Sequence, residues 1–308
     1  MKPETPFRTY NHYLRDRYGE RVNRVSLNAG FTCPNRDGTR AVGGCIYCNN
    51  ESFNFSPKSS LADQLAAGIE KARKRYGARK FIAYFQAYTN TYGSPEILYD
   101  AYSTIFGFPE IIGLSIGTRP DCVPEEVLRV IEPFAKTHEV WIEYGLESSN
   151  DETLRKINRA HTFAEFRDAV LRTAGRGIRI ATHIIIGFPW EDEATVMQTG
   201  QDIARLPVDA VKIHNLHIVR GTALERMYLR APFHLLSLEE YALLAAKVLE
   251  VLPPETILMR LTAECPPDLL VAPDWCNRKQ EITKAIIENL KMRNSYQGKA
   301  FKKYAEIT

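Results

Sequence analysis

Asn28-Ala-Gly-Phe-Thr-Cys33-Pro-Asn-Arg-Asp-Gly-Thr-Arg-Ala-Val-Gly-Gly-Cys45-Ile-Tyr-Cys48-Asn-Asn-Glu-Ser-Phe53 places three of the six cysteines within sixteen residues. The stretch follows a short strand-like run, Val22 to Leu27, and is too rich in Gly, Pro, Asn and Asp to be core. Thiolates are soft ligands, so three together suit zinc, copper(I) or an iron–sulfur cluster. A structural zinc site takes four ligands. No further Cys or His follows within fifty residues, and the nearest upstream, His12, falls in an expected helix. A 4Fe-4S cluster on Cys33, Cys45 and Cys48 would leave one iron open to bind a substrate or cofactor. Gly43 and Gly44 let the backbone approach the sulfides, and Tyr47 puts a ring beside the open iron. Zinc and ordinary free thiols are the alternatives.

The chain around this loop has 308 residues, 44% hydrophobic and 25% charged, enough for one large domain or two modest ones. No run reaches the roughly 18 apolar residues of a membrane span, and Met1 to Arg8 lacks the apolar core of a signal peptide. Six cysteines are too few for a disulfide scaffold, so a reduced cytoplasm is the expected location.

Apolar runs of strand length alternate with amphipathic helices. The expected strands are Arg21 to Leu27, Phe81 to Gln86, Ile111 to Gly117, Val140 to Leu146, Ile178 to Ile186 and Ala210 to Ile218. The expected helices are 7–20, Leu61 to Tyr76, Pro95 to Phe106, Pro124 to Ala135, turns across 150–175, and 192–205. Alternation of this kind argues for a parallel sheet with helices outside. Six units are too few for a closed eight-stranded barrel, which leaves an open, partial (β/α)6 TIM-like barrel, with a doubly wound sheet as the alternative. We take 1–218 as this core, with its N-terminal helix. Residues 219–308, with a helix over 238–251, a short strand from Thr256 to Leu261 and a helix from Arg278 to Met292, form a C-terminal α/β extension that caps the barrel mouth.

Chemistry in such folds sits at the carboxyl ends of the strands, and the polar residues collect there. They are the cysteines after strand one; Gln86, Tyr88, Thr89 and Asn90 after strand two; Thr118, Arg119 and Asp121 after strand three. Glu143, Glu147 and Ser148 belong to strand four, His183 to strand five, and Lys212, His214 and His217 to strand six. Glu143 alternates with Trp141 and Gly145, and a carboxylate inside a barrel must be paired or hydrogen-bonded. It either forms a buried ion pair with Arg119 or Lys212 or contacts cofactor or substrate. Arg119 can grip a carboxylate or phosphate through its planar fork or serve a structural ion pair. His183, His214 and His217 are proton-shuttle candidates or satisfied interior histidines. Cys122, Cys265 and Cys276 are scattered and read as small buried residues.

A Cys-x-aromatic-Cys pair preceded by a third cysteine, straight after the first strand, resembles the cluster loop of radical S-adenosylmethionine (SAM) enzymes. The frame from Gly30 through Gly38 and from Gly43 through Cys48 resembles a YhcC/YtqA-like family related to the radical domain of the Elp3 tRNA-modifying enzymes. Its Cys-x11-Cys-x2-Cys spacing departs from the superfamily's usual Cys-x3-Cys-x2-Cys but suits that branch. The resemblance implies a partial barrel, a 4Fe-4S cluster, SAM, and cleavage of SAM to methionine and a 5′-deoxyadenosyl radical, with an electron donor such as flavodoxin or ferredoxin. It also implies that the Thr118-Arg119-Pro120-Asp121 motif belongs to the site, that Gly187 in Gly187-Phe188-Pro189 lies near adenine, and that Arg159 reaches the SAM carboxylate or ribose. The Gly-Gly-Glu segment usual after strand two is replaced by Gln86-Ala87-Tyr88-Thr89-Asn90, so backbone carbonyls or these side chains must meet the SAM amino group.

Basic residues gather at Arg8 to Arg24, at Lys71 to Lys80, and from Arg278 to Lys303, where eight Lys/Arg stand with Tyr296 and Phe301. Cations with interleaved aromatics suit nucleic acid, and a solvated basic helix is the plain alternative. Residues 219–308 show no glycine-rich pyrophosphate loop, so the acetyltransferase activity of Elp3 is not expected. The resulting hypothesis is radical processing of the C5 side chain of a tRNA wobble uridine, carboxymethylaminomethyl to aminomethyl. A radical enzyme acting on a small metabolite or peptide, or a zinc-bearing RNA-binding protein without catalysis, are the competing readings.

Overall fold

In the computed structural model, residues 6–49 and 59–302 are described. The apolar runs form β1 (Val22–Leu27), β2 (Lys80–Phe85), β3 (Ile111–Thr118), β4 (Glu139–Glu147), β5 (Arg179–Ile186) and β6 (Ala210–Asn215). Each pairs in parallel with the next. Between them lie α2 (Leu61–Tyr76), α3 (Pro95–Ser103), α4 (Glu125–Ile131), α5 (Asp151–Lys156), α6 (Phe163–Thr173) and α7 (Glu193–Ala204), with α1 (Tyr10–Tyr18) preceding β1. Parallel strands buried on both faces require helices outside. Outward-facing Val25, Leu27, Phe81, Ala83 and Phe85 accordingly pack in one cluster with Leu65 and Ile69 of α2. Gly68 permits that approach, since a side chain there would overlap Val25. α2 itself is bounded by a Ser60/Asp63 capping box and by Gly77 at φ +64°, a left-handed position that glycine takes without cost.

The sheet is a half-barrel, and it runs one strand beyond the expected six. After β7 (Ile218–Val219), α8 (Ala223–Arg230) and α9 (Leu238–Val251), β8 (Ile257–Arg260) pairs in parallel with β6. β9 (Leu270–Ala272) joins β7 in a small antiparallel pair, and α10 (Lys279–Met292) packs against α9. The sixth strand is shorter than the run Ala210 to Ile218 predicts. The Asn215 Oδ1 accepts from Ala263 N at 2.9 Å and Thr262 Oγ1 at 2.8 Å, so a side chain replaces the ladder and the chain turns away. The helix expected through Ala135 becomes 3₁₀ over Glu132–Lys136, where Pro133 removes a backbone donor.

α1 plugs the amino-terminal end of the barrel. Tyr10, Tyr13 and Leu14 pack on the inward residues Val22, Ile82, Trp141, Ala181, Ala210 and Ile257. Trp141 meets Tyr10 and Tyr13 edge-on, a favoured aromatic geometry. Just before α1, Leu258 N donates to Arg8 O at 2.8 Å, which ties the N-terminal segment to the free edge of β8.

Candidate active site

Alternate side chains of a strand point to the same face, so the residues two steps beyond the apolar plug also point inward. On β1 to β6 they are Arg24, Tyr84, Ser115, Glu143, His183 and Lys212, all of them polar. Glu143 is the centre of this layer and is fully buried. Ser115 Oγ donates to Oε1 at 2.6 Å, Arg24 Nη1 approaches the same oxygen at 3.4 Å, and His183 Nε2 lies 3.0 Å from Oε2. Lys212 Nζ bonds Oε2 and donates to Tyr84 Oη at 3.0 Å. Of the two ion-pair partners weighed for Glu143, Lys212 is the one present.

Burial opposes ionisation of Glu143, but Lys212, His183 and Arg24 outweigh it and hold the carboxyl well below its usual range. Burial pulls Lys212 down to about 7, opposed by Glu143 and helped by repulsion from Arg24 and Arg260. The carboxylate therefore keeps its charge, and burial makes the paired ammonium easier to deprotonate than an exposed lysine. Burial and Lys212 lower His183 to about 4, so its imidazole is neutral. With a carboxylate as its partner, Nε2 must carry the hydrogen, which leaves Nδ1 as the acceptor.

Above this layer the three cysteines line one cavity of about 160 Å³, together with Tyr47, Gln86, Tyr88, Thr118, Arg119, Glu143, Glu147, Arg159 and His183. The loop that carries them is pinned from the α5–α6 connection. Asn158 Nδ2 donates to Gly44 O at 2.8 Å and Val42 O at 3.0 Å, Asn35 Nδ2 to Asn158 O at 2.6 Å, and Ile46 N to Ile157 O at 3.0 Å. Asn158 adopts φ +54°, a region in which asparagine is the most tolerant ordinary residue. Cys45 Sγ accepts from both Asn35 Nδ2 and Arg159 Nη1 at 3.5 Å. Arg159 is buried; its Nη2 donates to Gly145 O at 2.5 Å and faces Glu147 Oε1 at 3.6 Å.

These residues fit an iron–sulfur cluster. Burial and the adjacent Cys45 sulfur push the Cys48 thiol up to about 12, and metal charge is what allows crowded thiolates to coexist. Thiolates are soft ligands, and Cys33, Cys45 and Cys48 face one shared cavity, the donor set an iron–sulfur cluster takes. Arg159 Nε and Arg119 Nη1, on residues that line the cavity, are buried without partners among the described residues, polar atoms available to whatever the cavity holds.

The remaining expected site residues divide. Gln86, Tyr88 and Thr118 line the cavity; Tyr88 has φ +63° and lies under the Arg36 guanidinium, while the Thr118 hydroxyl bonds Thr91 at 2.5 Å. The fork of Arg119 is taken by Asp121, with Nε and Nη2 at 3.0 and 2.9 Å from its two oxygens. Gly187, at φ +113°, packs against Leu236 and Leu216 and lines neither this cavity nor the next. Neighbouring Phe188 meets the Tyr47 ring at 6.5 Å. Cys122, Cys265 and Cys276 are buried. Asn35, Asn158, Arg24, Tyr84, Ser115 and Arg260 were not singled out from the sequence. Alternation from Val22 to Arg24 and from Ile82 to Tyr84 was the available signal for two of them; nothing local marks Asn158.

A second cavity of about 200 Å³ shares Tyr47, Cys48, Tyr84, Gln86, Glu147 and His183 with the first and extends over Lys212, His214, His217, Arg260 and Glu264. A cysteine triad after the first strand of a parallel half-barrel, opening onto a polar pocket at the strands' carboxyl ends, defines a cluster-dependent β/α-barrel enzyme. Residues 32–203 match the family model of the Radical SAM superfamily and residues 208–292 that of the Radical_SAM C-terminal domain; the chain belongs to the radical SAM superfamily. It is 37% identical to protein YtqA of Bacillus subtilis (strain 168) over 306 residues, 98% of this chain and 95% of the relative. Identity to YhcC of Escherichia coli (strain K12) is 38% over 269 residues, 86% of each chain. The fold is similar to that of an archaeal Elp3, from Methanocaldococcus infernus, with TM-score 0.67 and 18% identity over 90% of this chain and 64% of that one. As a radical SAM enzyme the protein uses a 4Fe-4S cluster and SAM.

Proposed function

We propose that this enzyme acts on the C5 side chain of a wobble uridine in tRNA, converting carboxymethylaminomethyl to aminomethyl, in the cytoplasm and with a one-electron donor such as flavodoxin or ferredoxin. The observation that carries the reading is the second cavity, where a substrate group would lie against the cysteine-lined one among Lys212, Arg260, His214 and His217. Glu147 and Glu264 share the wall, and Lys212 is paired with Glu143, so it is the Arg260 end of the lining that suits an anionic terminus. Bound together, cluster and SAM supply a radical that removes one hydrogen atom. The methylene between nitrogen and carboxylate is the favoured donor, because both neighbours stabilise the resulting radical; that radical would pass one electron to the redox partner and lose the N–H proton to give an imine, and addition of water would release the amine and glyoxylate.

Cys33, Cys45 and Cys48 would hold the cluster, with Arg159 and Asn35 hydrogen-bonding Cys45 and Tyr47 shielding it. Gln86, Tyr88, Thr118 and Arg119 would face SAM. Glu143 would fix Lys212 and the His183 tautomer, and Lys212 would move the proton that the departing amine needs. Much of the basic surface noted in the sequence is paired internally: Arg293 with Glu250, Lys279 with Glu264, Arg73 with Glu110 and Arg79 with Glu20. The tRNA reading therefore draws its support from the pocket and from the resemblance to Elp3; Lys303 lies outside the described residues. Anaerobic reconstitution with SAM and dithionite, with and without bulk tRNA, tests it. Expected are 5′-deoxyadenosine and a tRNA-dependent gain of aminomethyluridine by mass spectrometry. Unchanged wobble nucleosides, both there and in tRNA from cells lacking the gene, would refute the substrate while leaving the superfamily chemistry intact.

A further inference from the structure

Arg260 ends β8 and stands beside Lys212 in the parallel register. Two like charges on adjacent strands repel, and burial strengthens the repulsion. Glu143 neutralises Lys212. Among the described residues Arg260, with only 31% of its side chain exposed, comes no nearer to a carboxylate than 3.9 Å from Glu264, which also faces Lys279 at 3.5 Å. Its charge is felt throughout the pocket and helps lower Lys212, His183 and His214. On the same wall, His214 Nε2 is buried without a partner among the described residues. A fold keeps such an arrangement where function uses it.

We propose that Arg260, assisted by His214, is the recognition site for a carboxylate on the substrate. A guanidinium presents a planar fork that matches two carboxylate oxygens, and His214 can donate a third hydrogen bond from Nε2. Arg119, the sequence-based candidate for this task, has its fork filled by Asp121; the available fork belongs to a strand end outside the expected six-stranded core. The site rests on the proposed tRNA reading only for the identity of the molecule that carries the carboxylate.

Phosphate could use the same fork, so the test separates the two anions. The reconstituted holoenzyme is treated with phenylglyoxal, and the Arg260 adduct is quantified by peptide mass spectrometry in acetate, inorganic phosphate or chloride at matched ionic strength. Acetate should slow labelling of Arg260 severalfold relative to chloride; protection by phosphate alone, or by neither anion, overturns the proposal without recourse to any variant. In a second arm, binding is compared for anticodon stem-loop RNAs carrying carboxymethylaminomethyluridine or methylaminomethyluridine. The wild-type protein should prefer the first by roughly tenfold, and Arg260→Gln should abolish the preference; a variant that keeps it overturns the proposal. If the wild type shows acetate protection but no RNA preference, the carboxylate site stands and the wobble-uridine reading falls.

Discussion

Glu143 shows how a single side chain organises the barrel interior. It takes hydrogen bonds or ion pairs from four strands, through Arg24, Ser115, His183 and Lys212. Removing one member of a buried pair strands the other's charge and typically costs about 3 to 5 kcal/mol, whereas apolar replacement of both is nearly neutral. Lys212→Met should therefore destabilise the apoprotein by about 3 kcal/mol, the lower end because Arg24 remains, and Glu143→Leu/Lys212→Met should recover most of that loss in denaturant titrations. Arg159 acts through sulfur instead. Hydrogen bonds to cluster thiolates raise the reduction potential, so Arg159→Met should lower the potential of the reconstituted cluster in an anaerobic redox titration followed by electron paramagnetic resonance. An unchanged potential would show that the contact at 3.5 Å to Cys45 has no electronic consequence. Gly145 belongs to the same contact, since a methyl there would overlap the Arg159 guanidinium.

At the scale of elements, α1 and the cysteine loop close the two ends of one half-barrel. α1 buries Tyr10, Tyr13 and Leu14 against the lower inward layer, and Tyr13 and Tyr18 donate to Glu139 Oε2 at 2.9 and 2.8 Å. Leu14→Ala should cost about 2 to 5 kcal/mol while leaving the iron and sulfide content of reconstituted protein unchanged, because the plug lies at the opposite end of the barrel from the cysteines. Loss of iron in that variant would mean that the two ends are coupled. The loop depends on α5 and α6 instead, whose connection supplies Ile157, Asn158 and Arg159 and holds residues 42–46 by backbone and side-chain hydrogen bonds.

The whole molecule buries several imidazoles, and this fixes its response to acid. Burial lowers His161, His183, His214 and His217, His183 to about 4. An unfolded histidine titrates near 6.5, so below that pH the unfolded chain binds more protons than the folded one. Stability must then fall as pH drops through the window from about 6.5 to about 4. Glu143, held low by its cations, extends the loss further into acid, since its contribution is present above the unfolded carboxylate value and disappears below the folded one. The apoprotein should melt at a clearly lower temperature at about pH 5 than at about pH 7.5; equal melting temperatures would contradict the burial of these rings.

Six strands, their order in the chain and most of the helices were legible in the sequence because hydrophobic period and terminal glycines are local signals, and α2 matches its expected bounds, Leu61–Tyr76. The cysteine triad was equally legible, being a matter of spacing. The seventh strand was legible as a strand, expected over Thr256 to Leu261 and found at Ile257–Arg260, but its place in the barrel sheet was not, since membership of a sheet is settled by a partner distant in sequence, here β6. The same holds for the choice between Arg119 and Lys212, both foreseen as partners of Glu143, for the Asp121 that occupies Arg119, and for Asn158 beneath the cysteine loop. Sequence alone determined which chemistry this chain carries, because thiol ligands must be encoded one by one. Tertiary structure decided which charges are spent on each other, as Glu143 on Lys212 and Arg119 on Asp121, because pairing depends on distance and burial.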